Sequence, residues 1–299
     1  MPAFDITILT ESRYVDPGKG SPYVQNVLKE DQLLRSALEK RGLRVHRTNW
    51  DNERMDWSDT RYMLFRSTWD YFIRFTEFDA WLSRVNRETL MINPYQLIRW
   101  NLDKHYLADL SNQGIHIPPT RFLRKGDLLS LKEIVDESGW KEIILKPVVS
   151  GGSRHTYRFH RREVHLHESI YRSLLSEESL IVQEFQEQIL TRGEVAFMLF
   201  DGKFTHAVLK KAKKGDFRVQ DDFGGTVHSY DPTPEEISWA ERVVSLCDPR
   251  PVYARVDAIW DNKSEPALAE LELIEPELWF RYYPQAAEDL ADAVMNYLG

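Results

Sequence analysis

Tyr253-Ala254-Arg255-Val256-Asp257-Ala258-Ile259-Trp260, then Asp261 to Pro266, then Ala267-Leu268-Ala269-Glu270-Leu271-Glu272-Leu273-Ile274-Glu275-Pro276 is the stretch that decides how this chain folds. Both arms alternate. Arg255, Asp257 and Ile259 share one face of the first and Glu270 and Glu272 one face of the second, so each reads as a half-buried strand of period two. The segment between them carries turn residues. A hairpin centred on Lys263 and Ser264 sets Asp257 opposite Glu270 and Arg255 opposite Glu272. Three carboxylates and one guanidinium then crowd a small patch, and like charges facing each other across a sheet ask for a counter-charge. Arg255 supplies part of it. Carboxylate oxygens completed by water and substrate phosphates suit magnesium, so a magnesium-bound nucleotide is the natural guest. The competing reading is an acidic strand face turned to solvent.

Working outward, the 299 residues exceed the size at which one core keeps growing, so two or three domains are expected. Lys and Arg number 39 against 47 Asp and Glu, and the net charge of -8 argues against general nucleic-acid binding. Cys247 stands alone, which excludes an intrachain disulfide. Asp5 breaks the apolar stretch nearest the N-terminus, and no run approaches the roughly 20 apolar residues of a membrane span. The expected compartment is therefore the cytoplasm, with no membrane partner; a homo-oligomer is compatible with the sequence.

Phe4 to Leu9, Leu43 to His46, Tyr62 to Phe65 and Met91 to Asn93 read as strands, with helices over Gln25 to Lys40 and Thr76 to Arg87 between them. Strand and helix alternate, so residues 1 to about 97 make a small open α/β domain with a parallel sheet and a crevice beyond its carboxyl strand ends. Arg66-Ser67-Thr68-Trp69-Asp70-Tyr71 follows such an end. Its functional reading is a substrate loop in which Arg66 grips a carboxylate, with Asp70 beside it; its structural reading is a turn in which Arg66 and Asp70 pair with each other.

Helices over Pro94 to Trp100 and Leu102 to Asn112, the second carrying Lys104, open the next unit. Asp127 to Ser138 is helical, and the strand Lys141 to Pro147 places Lys146 at its end, before Ser150-Gly151-Gly152-Ser153. A lysine beside glycines that let backbone N–H groups approach an anion is a phosphate cradle in physical terms. It is not a Walker A motif, because the lysine precedes the glycines. Glu163 to Leu175 reads as a helix and Leu180 to Gln183 as a buried strand. Val195 to Phe200 and Phe204 to Leu209, joined at Asp201-Gly202, read as a hairpin. The basic run from Lys210 to Arg218 leaves that hairpin for a mobile loop closed by Asp221-Asp222-Phe223-Gly224-Gly225. Thr233 to Leu246 and Gln285 to Tyr297 are helices. His155, His160, His165 and His167 read as surface residues.

Lys104, Lys146 with Ser150 to Ser153, Ile181-Val182-Gln183-Glu184-Phe185, Gly193-Glu194, Ala254-Arg255-Val256-Asp257 and Glu270-Leu271-Glu272 stand in the order of the ATP-grasp ligases. Over nearly its whole length the chain resembles that family, most closely the bacterial glutathione synthetase group. The stretch from Thr191 through His206 and Lys210 to Gln220 resembles cycloserine synthetase-like members. The resemblance implies an ATP-grasp fold: an N-terminal α/β domain over 1–97 and two α+β subdomains, 98–182 and 183–299, that clamp ATP. It implies that Lys104 and Lys146 hold the phosphates under Gly151, Gly152 and Ser153. Gln183, Glu184 and Phe185 would bind adenine, Glu187 or Glu194 the ribose, and Asp257, Glu270 and Glu272 two Mg2+ ions. Arg255, matching the Ala-Arg-Val-Asp pattern of D-alanine:D-alanine ligase, would steady the transferred phosphoryl with Arg218 and Lys210, and Gly225 would flank a small amino-acid-like substrate. One departure stands out: many members carry asparagine where this chain has Glu272.

The implied chemistry is attack of a substrate carboxylate on the γ-phosphate, giving an acyl phosphate that an amine then displaces. That first step needs no protein nucleophile, and the sequence offers no convincing serine, cysteine or histidine constellation. A cyclising reaction, in which the amine is tethered to the activated carboxylate, needs the same residues. A non-catalytic ATP-binding module is the alternative from another class. A nucleic-acid binder using residues 210–218 lacks aromatic interleaving.

Overall fold

The computed structural model describes residues 2–220 and 223–299; Asp221 and Asp222, assigned above to the loop, lie outside the described residues. The chain opens with β1 (Phe4–Thr10), α1 (Pro22–Lys40), β2 (Val45–Asn49), β3 (Thr60–Ser67), α2 (Phe75–Val85) and β4 (Leu90–Ile92). The four strands form one parallel sheet in the order β2-β1-β3-β4. Helix α1 starts earlier than its periodicity suggests, because Ser21 accepts the Val24 amide and Pro22 presets the first turn. On one side of the sheet Trp50, Trp57, Phe65, Phe78 and Trp81 make an aromatic core; on the other Leu34 and Leu38 meet Leu290 and Val294.

Next come α3 (Tyr95–Asn101), α4 (Tyr106–Asn112), β5 (Thr120–Leu123), α5 (Leu131–Ser138), β6 (Glu142–Pro147), β7 (Tyr157–His160), α6 (Val164–Glu177) and β8 (Leu180–Glu184). Strands β5-β8-β6-β7 form an antiparallel sheet covered by α5 and α6. The expected helix from Asp127 begins instead at Leu131, where Ser130 and Glu133 close a capping box; four residues that read as a first turn are loop. Lys104 likewise precedes its helix rather than riding on it, and its backbone N–H donates to the Val148 carbonyl at 3.1 Å.

The last sheet, β11-β10-β9-β12-β13, is antiparallel: β9 (Glu194–Phe200), β10 (Lys203–Lys211), β11 (Thr226–Tyr230), α7 (Pro234–Ser245), β12 (Tyr253–Trp260), β13 (Pro266–Glu272) and finally α8 (Ala286–Leu298). Arg255 pairs with Glu272 and Asp257 with Glu270, the register expected from the hairpin. Beyond Asp257 the register slips so that Ala258 faces Leu268, which leaves Ala269 as a bulge. The slip keeps Ala258 and Leu268 in the apolar core while the charged residues stay on the opposite face. Lys210 lies inside β10, not in the loop that follows it, and β11 pairs back onto β10.

Two buried asparagines fix this sheet against the rest of the molecule. Asn93 donates to the Tyr253 and Leu273 carbonyls at 2.9 and 2.8 Å and accepts the Val252 amide at 2.6 Å. Asn101 donates to the Leu271 carbonyl at 2.8 Å and accepts the Leu273 amide at 2.9 Å, so a side chain stands in for the next strand along β13. Among the described residues no helix is long and apolar enough to cross a membrane.

Candidate active site

A cavity of about 510 Å3 lies where the three sheets meet. Its floor is the charged face of β12 and β13. Asp257, 2% exposed, accepts Arg255 Nε at 2.9 Å and Nη2 at 2.8 Å, and Lys210 Nζ at 3.0 Å. Lys210 also pairs with Glu194, its neighbour across β9 and β10, and Arg255 with Glu272. Lys104 Nζ donates to the Ser150 carbonyl at 2.6 Å and meets Glu270 at 3.0 Å. Among the described residues no carboxylate forms an ion pair with Lys146.

Burial and neighbouring charge tune these groups. Burial alone would raise the Asp257 carboxyl, but Arg255 and Lys210 hold it down at about 2. Burial pushes Glu272 up to about 8 against the pull of Arg255, helped by Glu270, Asp257 and Glu275. Glu194 is raised by burial even beside Lys210. Burial, then nearby Lys104, lowers the Lys146 ammonium, with Glu270 pulling the other way. A second cation that lacks a partner beside a like charge is ready to receive an anion.

Above this floor lies a loop whose glycines allow close approach: a Cβ on Gly151 would run into the Phe72 ring. Ser153 Oγ reaches Gln220 Oε1 at 3.3 Å, joining this loop to the one after β10. At one end of the cavity Ile144, Phe185, Phe217, Ile259 and Leu271 line an apolar slot. Phe185 stacks under Arg158 at 3.8 Å, and its ring lies 6.0 Å from that of Phe217. Such a slot takes a planar base. The Gln183 side chain is turned away, donating to Thr120 Oγ1 at 2.8 Å. The other end is walled by Tyr23, Trp69, Tyr71 and Phe72, with Glu275 and Glu277 beside them. Burial raises the Glu275 carboxyl to about 7, with the neighbouring Tyr71 hydroxyl pulling it down.

The structure therefore brings Lys104, Lys146, Gly151, Gly152, Ser153, Gln183, Glu184, Phe185, Glu194, Lys210, Arg218, Arg255, Asp257, Glu270 and Glu272 to one cavity. Arg66 is not there. It lies inside β3, 3% exposed, donating to the Pro276 carbonyl at 2.9 Å and to Glu30 at 3.0 Å, because strand alternation turns it toward α1. Asp70 accepts Trp50 Nε1 at 2.7 Å and Arg74 at 3.0 Å, so it serves neither the cavity nor Arg66. Glu187 and Gly225 also lie off the cavity wall: the amide of Glu187 donates to Asn262 and that of Gly225 to the Gln220 carbonyl. Arg218 lines the cavity with its guanidinium engaged by Asp216 at 2.7 Å. Among the described residues the carboxylates form no three-ligand metal cluster: Asp257, Glu270 and Glu272 are each drawn to a basic side chain instead. Trp279, Glu275 and Glu277 escaped the sequence reading. Glu275 lies three residues after Glu272, off the period-two face and past the end of β13, and Trp279 is equally without a local signal.

Fold and cavity together set a cluster of cations over an acidic floor, in a cleft lined from two antiparallel sheets. A family model described as the D-cycloserine synthetase DcsG N-terminal domain matches residues 6–93, and one described as the prokaryotic glutathione synthetase ATP-grasp domain matches residues 113–262. The cycloserine biosynthesis protein DcsG of Streptomyces lavendulae is 28% identical over 283 residues, spanning 89% of this chain and 92% of the relative. Among solved structures, D-cycloserine synthetase DcsG superposes with a TM-score of 0.85 at 26% identity, over 98% of this chain and 99% of that one. D-alanine–D-alanine ligase from Bacillus anthracis, solved with ATP, gives 0.64 at 16% identity over 98% and 97%, a likeness of fold. The chain belongs to the ATP-grasp ligases, in the family of the prokaryotic glutathione synthetase ATP-grasp domain. It is an ATP-dependent enzyme that forms carbon–nitrogen bonds between a carboxylate and an amine.

Proposed function

We propose that this chain activates the carboxylate of a small amino-acid-like substrate as an acyl phosphate and couples it to an amine, releasing ADP and phosphate in the cytoplasm. The observation that carries the reading is the gathering of Lys104, Lys146, Lys210 and Arg255 with Asp257, Glu270 and Glu272 around one cavity, between a base slot and an aromatic wall. On this reading the base lies against Phe185, Lys104 and Lys146 hold the phosphates, and the Gly151–Ser153 loop covers them. Lys210 and Arg255 neutralise charge as it spreads over the transferred phosphoryl group. Residues 1–97, 98–182 and 183–299 then act as the three units of the clamp.

The carboxylate chemistry of the floor suits Mg2+, although each carboxylate is turned to a basic side chain rather than clustered with the others. Asp257, Glu270 and Glu272 stand at neighbouring positions of paired strands and would hold the ion once their basic partners turn to the phosphates. When bound, magnesium supplies charge neutralisation at the phosphate oxygens. The substrate end, with Tyr23, Trp69 and Tyr71 around Glu275, suits an amino group, and Arg255 and Arg218 suit its carboxylate.

A second reading, cyclisation of a substrate that carries its own amine, is favoured by the likeness of residues 6–93 to the N-terminal domain of a cycloserine synthetase. One experiment serves both. The protein is incubated with ATP, magnesium and pools of D- and L-amino acids and their O-substituted derivatives, and phosphate release and product masses are followed. A product joining two substrates with loss of water supports ligation, and loss of water from one substrate supports cyclisation. ATP binding without any product, across all pools, counts against both.

A further inference from the structure

Trp279 is 3% exposed and holds a backbone φ of 47°, a conformation that L side chains rarely adopt. Its indole N–H is buried without a hydrogen-bond partner among the described residues. Neither the backbone nor the polar atom recommends a tryptophan here. The ring face does: Lys210 Nζ lies 5.5 Å and the Arg255 guanidinium 5.0 Å from its centre. One aromatic platform thus supports both cations that meet Asp257.

The platform is held from the N-terminal sheet. Glu30, on α1 and 4% exposed, accepts the amides on either side of Trp279, Leu278 at 3.3 Å and Phe280 at 2.8 Å. Arg66 locks that carboxylate at 3.0 Å and holds the Pro276 carbonyl at 2.9 Å. His206, four residues before Lys210 on β10, meets the Leu278 carbonyl at 2.8 Å. Buried charges are kept where they are paired and where they fix one geometry, and this pair fixes segment 276–280.

We propose that Trp279 is a positioning residue for phosphoryl transfer, its ring keeping Lys210 and Arg255 turned to the cavity, and that the Glu30–Arg66 pair holds it there. This rests on the proposed reading of Lys210 and Arg255. The interaction is with the cations as charge builds on the transferred phosphoryl, so its loss falls on kcat more than on the KM for ATP.

The test compares Trp279→Phe, Trp279→Leu, Glu30→Gln and Lys210→Met in steady-state ATP turnover with the responding substrate. Trp279→Leu is expected to lower kcat about tenfold or more with the KM for ATP changed less than about threefold, and Trp279→Phe, which keeps a ring face, to recover most of the loss. Glu30→Gln, which keeps the tryptophan but removes the charge that pairs with Arg66 and holds its segment, carries the same expectation if Trp279→Leu does not fold. Should Trp279→Leu or, in its place, Glu30→Gln turn over like the native enzyme while Lys210→Met is inactive, the positioning role is overturned and the phosphoryl-transfer reading stands. A fully active Lys210→Met overturns both.

Discussion

Asp257→Asn removes one negative charge and almost no volume. Asp257 is 2% exposed and takes three hydrogen bonds from Arg255 and Lys210, so the change leaves two buried cations short of an anion. Breaking a buried pair costs about 3–5 kcal/mol. Lys210 keeps Glu194 and Arg255 keeps Glu272, which places the loss at the lower end, about 3 kcal/mol. The carboxyl points the same way: Arg255 and Lys210 hold it well below 3.8, so its ionised form stabilises the fold. With the folded value depressed, that contribution is present above pH 3.8 and lost as pH falls through about 2. The melting temperature should fall by about 5 °C in thermal unfolding at pH 7, and turnover by about 100-fold or more. An Asp257→Asn protein with native melting temperature would refute the claim that Asp257 balances both cations.

Lys146→Met keeps most of the side chain and removes the cation without an ion-pair partner, so ATP affinity by calorimetry should drop at least tenfold, about 1.4 kcal/mol; unchanged affinity would mean that Lys146 does not meet the phosphates. Burial lowers the His206 imidazole from 6.5 to about 4, so the unfolded chain takes up the proton first and stability is lost as pH falls between those values, by about 3 kcal/mol. Urea unfolding should show about 2 kcal/mol of that loss between pH 7 and pH 5, and His206→Gln should flatten it. Gly193→Ala places a methyl group against the Lys210 carbonyl at a positive φ, so it should destabilise by about 2 kcal/mol and lower kcat through displacement of Lys210; a native unfolding midpoint would count against that contact.

The hairpin was legible because period-two alternation fixes which residues share a face, and a turn at Lys263-Ser264 then leaves one register for Arg255 and Asp257. The bulge at Ala269 was not, since one skipped residue lies within the alternation on both sides of it. The parallel N-terminal sheet was legible from the alternation of strand and helix. Arg66 misled for a physical reason: at the end of β3, strand extension by two residues decides whether a side chain belongs to a loop or to the core, and boundary positions carry little signal. The Glu30 and Asp31 carboxylates sit on the buried stripe of α1, where composition predicts solvent; only the tertiary partners Arg66 and Arg47 explain them. Trp279 depends on a left-handed backbone and on two cations from other strands, none of which is encoded near it. Strand β11 has no counterpart among the strands read from the sequence, because its pairing with β10 leaves it largely exposed and without an apolar alternation.

The central claim is that a substrate carboxylate attacks the γ-phosphate of ATP to form an acyl phosphate. Its most direct measurement uses the responding amino acid labelled with oxygen-18 in the carboxylate, with mass spectrometry of the phosphate released. Carboxylate attack leaves one carboxylate oxygen on phosphorus when the amine displaces it, so the account predicts phosphate carrying one labelled oxygen for each product formed. Product formed with unlabelled phosphate would contradict it.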